Sequence, residues 1–185
     1  MARKGMTVTI VAKIDQSKPD GVDFHMEDED GVQIDTLVFR KDKYPGMKKD
    51  DDHEVSFGLD QEQGLTLEFA HSLDDVLWVE MGDDQTIPPC PTTEPAQKST
   101  IFFAERSRPR RMVAINTNPK CQKFSFTINF IDRTNSGPKK LIPFDPGGSN
   151  ENGGVGFMDT QLNTLILVGF ASAVLAAFAT YLFMR

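Results

Sequence analysis

The sequence predicts an all-β protein: an antiparallel, immunoglobulin-like β-sandwich followed by a single C-terminal transmembrane α-helix. Three observations predict it. Eight or nine short runs of alternating or apolar residues recur about every ten residues, separated by turns rich in Gly, Pro and Asp. Nothing in residues 1–145 carries the apolar period of an amphipathic helix. Residues 165–184, LILVGFASAVLAAFATYLFM, are uncharged throughout, and at about 1.5 Å per residue they reach roughly 30 Å as a helix, the hydrocarbon thickness of a bilayer.

The first expected strand is Met6–Ile14, where β-branched residues alternate with polar ones. Gly21–Glu27 and Val32–Arg40 follow the turns Pro19-Asp20-Gly21 and Glu29-Asp30-Gly31, so a hairpin or meander is expected. A polar loop from Lys41 to Asp52 leads to strands at Glu54–Leu59, Leu65–Ala70 and Val76–Met81, with turns at Gln63-Gly64 and Leu73-Asp74-Asp75. Gly82–Ala96 holds four prolines, which lack the ladder N–H, so it reads as a loop or a link between sheets. Ser99–Ala104, Met112–Asn116 and Lys123–Asp132 complete the set. In the last, Phe124, Phe126, Ile128 and Phe130 share one face, and Lys123, Ser125, Thr127 and Asn129 the other.

Residues 1–145 therefore read as one soluble domain and 146–158 as a linker, since Gly147–Gly156 contains five glycines. The remainder, 159–185, reads as the anchor, capped by Asp159 or Thr160. Only Arg185 follows the apolar run, which suggests a tail anchor. The start, MARKGMTVTIVAKI, lacks the apolar core of a secretory signal. The domain is thus expected on the cytosolic face of a membrane.

Charge is segregated. Residues 1–97 carry nine Lys/Arg against 22 Asp/Glu, whereas residues 98–140 carry ten against two. A basic block ahead of a span suits an anionic leaflet, although strands paired in the fold would mix the two signs. Arg106, Arg108, Arg110 and Arg111, interrupted by Pro109, read as a hairpin tip that could hold lipid headgroups or an acidic protein surface. The acidic balance of the chain argues against nucleic acid. Self-association is a further reading, the acidic part of one copy meeting the basic part of the next. Gly169, Ala173 and Ala177 repeat every four residues and would let two anchor helices approach closely.

The segment Phe124–Asp132, followed by Phe144-Asp145-Pro146 and then Asn150 or Asn152, resembles the ending of small bacterial β-sandwich proteins grouped as the DP-EP family. The resemblance spans about thirty residues. It implies a bacterial β-sandwich and no particular activity.

Catalytic chemistry finds little support. His71-Ser72 with Asp74 holds the letters of a triad, but near-adjacent residues do not make its geometry. Of the acidic runs Asp28-Glu29-Asp30-Gly31 and Asp50-Asp51-Asp52-His53-Glu54, the first lacks the alternation that aims several oxygens at one cation. Consecutive carboxylates on extended backbone point to opposite sides, so solvated turns are expected, with Ca²⁺ binding the alternative. His25, His53 and His71 are scattered, so neither a metal nor a cofactor is expected. Cys90 and Cys121 are expected as free thiols, a bridge between them being the alternative. The expected function is a membrane-tethered β-sandwich binding module, not an enzyme. A structural subunit of a larger membrane assembly is the alternative. A membrane-associated enzyme would need His and Asp/Glu from distant segments in one pocket.

Overall fold

The computed structural model describes residues 3–40, 51–95, 97–117, 121–134 and 140–151. The chain divides into two units, Met1–Asn152 and Gly153–Arg185, and the second lies outside the described residues. The expected span at 165–184, with Gly169, Ala173 and Ala177, falls there too. Among the described residues no helix is long and apolar enough to cross a membrane.

The first unit is all-β, with β1 (Arg3–Ile14), β2 (Val22–Glu27), β3 (Gln33–Ile34), β4 (Thr36–Arg40), β5 (Asp52–Gln61) and β6 (Leu67–Phe69). A four-residue helix α1 (Leu73–Val76) precedes β7 (Leu77–Met81). β8 (Phe102–Arg108), β9 (Arg111–Asn116), β10 (Gln122–Asp132), β11 (Leu141–Phe144) and β12 (Gly147–Glu151) follow. They form two six-stranded sheets. The first runs β3-β2-β1-β5-β9-β8. The second is built on β10, flanked on one side by β6 and β7 and on the other by β11 and β12, with β4 outside β12.

The sandwich is not purely antiparallel, which corrects the sequence expectation. β1 pairs with β5 in parallel, Arg3 opposite Asp52 through Ala12 opposite Gln61, and β12 pairs with β4 in parallel. Turn spacing predicts hairpins between neighbouring strands, but β4 leaves for the second sheet and β5 returns beside β1, which no local signal encodes.

Phenylalanine fills the space between the sheets. Phe39, Phe57, Phe69, Phe102, Phe124, Phe126 and Phe130 are all fully buried. Phe102 contacts Phe124 and Phe126 at centroid distances of 5.2 and 5.3 Å, and Phe130 stacks on Phe24 at 5.0 Å. Truncating such a ring to Ala costs about 3–5 kcal/mol.

The other face of β10, which carries its polar residues, is also covered. Ser125, Thr127 and Asn129 are fully buried. The proline-rich loop crosses them as a strap whose carbonyls accept hydrogen bonds at alternate β10 positions. Lys123 Nζ donates to Gln85 O, Ser125 Oγ to Pro89 O and Thr127 Oγ1 to Pro91 O, at 2.6, 2.8 and 2.7 Å. Asn129 Nδ2 donates to Asp75 O at 2.7 Å. Prolines suit a strap because they fix φ and their carbonyls remain available.

Gly147–Glu151, read from its glycines as the beginning of a linker, is β12. Its glycine has a packing role: a Cβ on Gly148 would collide with the ring of Phe124. Between β11 and β12 the chain breaks at Asp145-Pro146. There Asp145 Oδ1 accepts from Thr127 Oγ1 at 2.7 Å, and Pro146 O accepts from the Phe126 N–H at 3.2 Å. A buried bond from Asn116 Nδ2 to Asn150 Oδ1, 2.7 Å, joins the two sheets at the end where the chain leaves β12.

Candidate functional site

Arg106 and Arg108 lie on β8, Arg110 lies in the turn and Arg111 opens β9, so the basic run is a hairpin tip in the structure. The register sets Arg108 directly opposite Arg111, and Arg106 opposite Val113. Like charges at facing cross-strand positions repel.

The backbone of this tip is fixed to both sheets. Arg110 O accepts from the Leu59 N–H of β5 at 3.2 Å, and Pro109 O accepts from the Phe69 N–H of β6 at 3.1 Å. Ser107 Oγ donates to Ala70 O at 2.7 Å. Arg111 Nε donates to Ser56 Oγ at 2.7 Å, which lays its stem over the outer face of the first sheet. Arg106 Nε is 3.8 Å from Glu105, whose carboxylate is also held by Arg3 at 2.7 Å. That bond from Arg3 raises the pKa of its guanidinium. Among the described residues neither Arg108 nor Arg110 has a carboxylate partner. The tip therefore holds cations on a rigid frame, which lowers the ordering cost of binding an anionic surface.

Its position matters as much as its charge. β9 runs from Arg111 at the tip to Asn116, which bonds Asn150 beside the end of β12. At about 3.3 Å per residue, the tip and the chain's exit from the sandwich are separated by roughly 17 Å along the strands. The two lie at opposite ends.

A second feature lies at the open side of the sandwich, where β7 and β8 leave a groove of about 570 Å³. Leu77, Val79, Phe102 and Ala104 line it, with Trp78 and Leu73, and Phe103 is 37% exposed beside them. Trp78 Nε1 donates to Asp74 O at 3.0 Å, so its indole is held at the groove rather than in the core. Lys98 reaches Asp74 across the rim at 2.5 Å, and this bond raises the pKa of the Lys98 ammonium. Residue spacing gave no sign of the groove, because its walls come from different sheets.

The other candidates have structural employment. Ser72 caps α1, accepting from the Asp74 N–H at 3.2 Å, while His71 Nε2 lies 3.2 Å from Glu68, which also binds Arg133 at 3.0 Å. Asp28 accepts from the Asp30 and Val32 N–H groups around the turn at Gly31, φ +75°, and Glu29 accepts from the Thr7 N–H. Among the described residues no group of three His, Cys, Asp or Glu side chains is placed to share a metal ion. Cys90 is half-buried and Cys121 exposed, with no disulfide between them. Burial, and then Asp145, push the Cys90 thiol up from its ordinary value.

No family model matches the chain, and no curated protein matches it.

Proposed function

We propose that this chain is a single-pass, membrane-anchored protein whose β-sandwich is a binding module, presented on the cytosolic face to an acidic protein partner. The uncharged run at 165–184 supplies the anchor. Arg106, Arg108, Arg110 and Arg111 supply the partner surface. The observation that carries this reading is the rigid arginine tip at the end of the sandwich opposite the chain's exit. A basic surface serving only the lipid would be better placed at the exit. The likeness of β10 and the Asp145-Pro146 break to DP-EP proteins is compatible with a binding role and specifies no ligand.

Two measurements test it. The full chain should stay with membranes through alkaline extraction, and its release would remove the anchor. From gently solubilised membranes, wild type should retain a stoichiometric companion that an Arg108→Glu/Arg110→Glu variant loses. Companions held equally by both would dismiss the tip. Retention on anionic vesicles, lost in the same variant, would reassign the tip to lipid.

The alternative, a structural subunit of a larger membrane assembly, is favoured by one observation: the first sheet is acidic at one edge and basic at the other.

A further inference from the structure

We infer that the acidic surface recognised by the arginine tip belongs to a second copy of this chain, which docks head to tail along the first sheet. The inference rests on reading the tip as a protein-binding surface.

Among the described residues, the two outer strands of that sheet are β3 and β8. Around β3, residues 28–35 (DEDGVQID) carry four carboxylates and no cation. At the end of β8, residues 106–111 (RSRPRR) carry four arginines and no anion. Glu29, Asp30 and Asp35 are exposed, as are all four arginines.

The registers bring the two edges to the same height. Gln33 pairs with Glu27, Glu27 with Thr9, Thr9 with Gly58, Gly58 with Arg111 and Arg111 with Arg108. Two residues toward the exit end, Glu29 binds the Thr7 N–H, and Thr7 pairs with Ser56, Ser56 with Val113 and Val113 with Arg106. A sideways translation of one copy, by about the width of six strands at roughly 4.8 Å spacing, therefore sets Asp30 and Asp35, beside β3, against Arg108 and Arg110 at the tip. Neither edge is fit to extend the hydrogen-bond ladder. β3 has two residues, and the register of β8 shifts between Ala104 and Arg106. Bulges and short strands blunt an edge, so the contact is one of side-chain charge. Because it joins different surfaces, it does not close on itself and generates a row of copies. Tethering to one membrane would hold such copies side by side.

The test uses the full chain, in detergent, by sedimentation. Wild type should form a series of oligomers that weakens when salt is raised from about 50 to about 500 mM, where screening shortens. Asp30→Arg/Asp35→Arg cancels the net charge of the acidic edge and leaves the arginine tip intact, and Arg108→Glu/Arg110→Glu cancels that of the tip and leaves the acidic edge intact. Each variant alone should associate about ten-fold more weakly or worse, since exposed pairs are individually modest but here several are lost together. An equimolar mixture of the two should associate as wild type does. The shared anchor cannot produce that recovery, and a misfolded variant could not give it. A monomeric wild type, variants that assemble normally, or a mixture that fails to recover would each overturn the inference. A labelled polyglutamate peptide separates this failure from that of the underlying reading. If the peptide binds wild type and not Arg108→Glu/Arg110→Glu while copies stay apart, the tip remains a partner surface. If it binds neither, both fall.

Discussion

Gly148 of β12 lies flat beneath the ring of Phe124 on the neighbouring β10, so close that a single methyl group could not be accommodated. Glycine in a strand interior weakens it, but here its bareness lets an aromatic ring sit against backbone.

Gly148→Ala should therefore destabilise the domain by about 1–3 kcal/mol, the usual cost of overpacking. Urea denaturation of the domain measures it. An unchanged midpoint would mean that the ring shifts at no cost. Phe124→Leu in the same background should recover part of the loss by vacating the space.

Asn116 and Asn150 exchange the buried bond between the sheets. Replacing either by Ala removes this buried bond, at about 1–3 kcal/mol. The double variant should lose less than the sum of the two, and the coupling from the cycle measures the pair itself. Additive losses would deny the interaction.

The strap over β10 depends on Thr127, whose hydroxyl lies 2.7 Å from both Pro91 O and Asp145 Oδ1. Thr127→Val keeps the shape and removes the hydroxyl. Protease cleavage within residues 82–95 should then accelerate, because the strap opens locally more often. Cleavage at the wild-type rate would mean that the strap is held elsewhere.

The same strap sets thiol reactivity. Cys90 is half-buried and its thiol is pushed up, first by burial and then by Asp145. The thiolate is the nucleophile, so iodoacetamide near pH 8 should modify exposed Cys121 first. Thr127→Val should narrow the difference. Equal rates in wild type would contradict the packing of Cys90.

Asp132 gives the domain an acid-sensitive joint. The hydroxyl of Thr66, 2.6 Å away, and then the Thr134 N–H hold its carboxyl below the ordinary value of 3.8. A lowered pKa means that the folded state favours the charged form. Its contribution is thus complete above the ordinary carboxylate range and lost as pH falls through the folded value. Solvent screening keeps it at about 1 kcal/mol or less. The stability gap between wild type and Asp132→Ala, measured in urea, should be present at pH 7 and shrink on acidification toward pH 3.

Much of the fold was legible because strands write themselves in period two. β1 and β10 stand out in their alternation, and Pro109 among arginines marks the tip of β8–β9. What was not legible depends on partners distant in sequence. No local feature of β10 announces that strap carbonyls will receive Ser125 and Thr127. The glycines of β12 look like a linker, since the ring that requires Gly148 is 24 positions upstream. The segregation of charge was plain in the sequence. Ion pairs such as Arg3–Glu105 and Arg133–Glu68 mix the two halves on the folded surface. That one acidic run, residues 28–35, and one basic run, residues 106–111, lie at opposite edges of one sheet follows only from the strand registers.

The placement of β12 has a mechanical meaning. It is the last described strand before the apolar run, and it lies between β10 and β4, bonded to both. Tension applied to the chain beyond Glu151 and directed along β12 would act on both of its neighbours at once. It would load both ladders in shear, with all their bonds sharing the tension, instead of peeling them apart one at a time. A domain whose last described strand is secured in this way resists tension at that end of the chain.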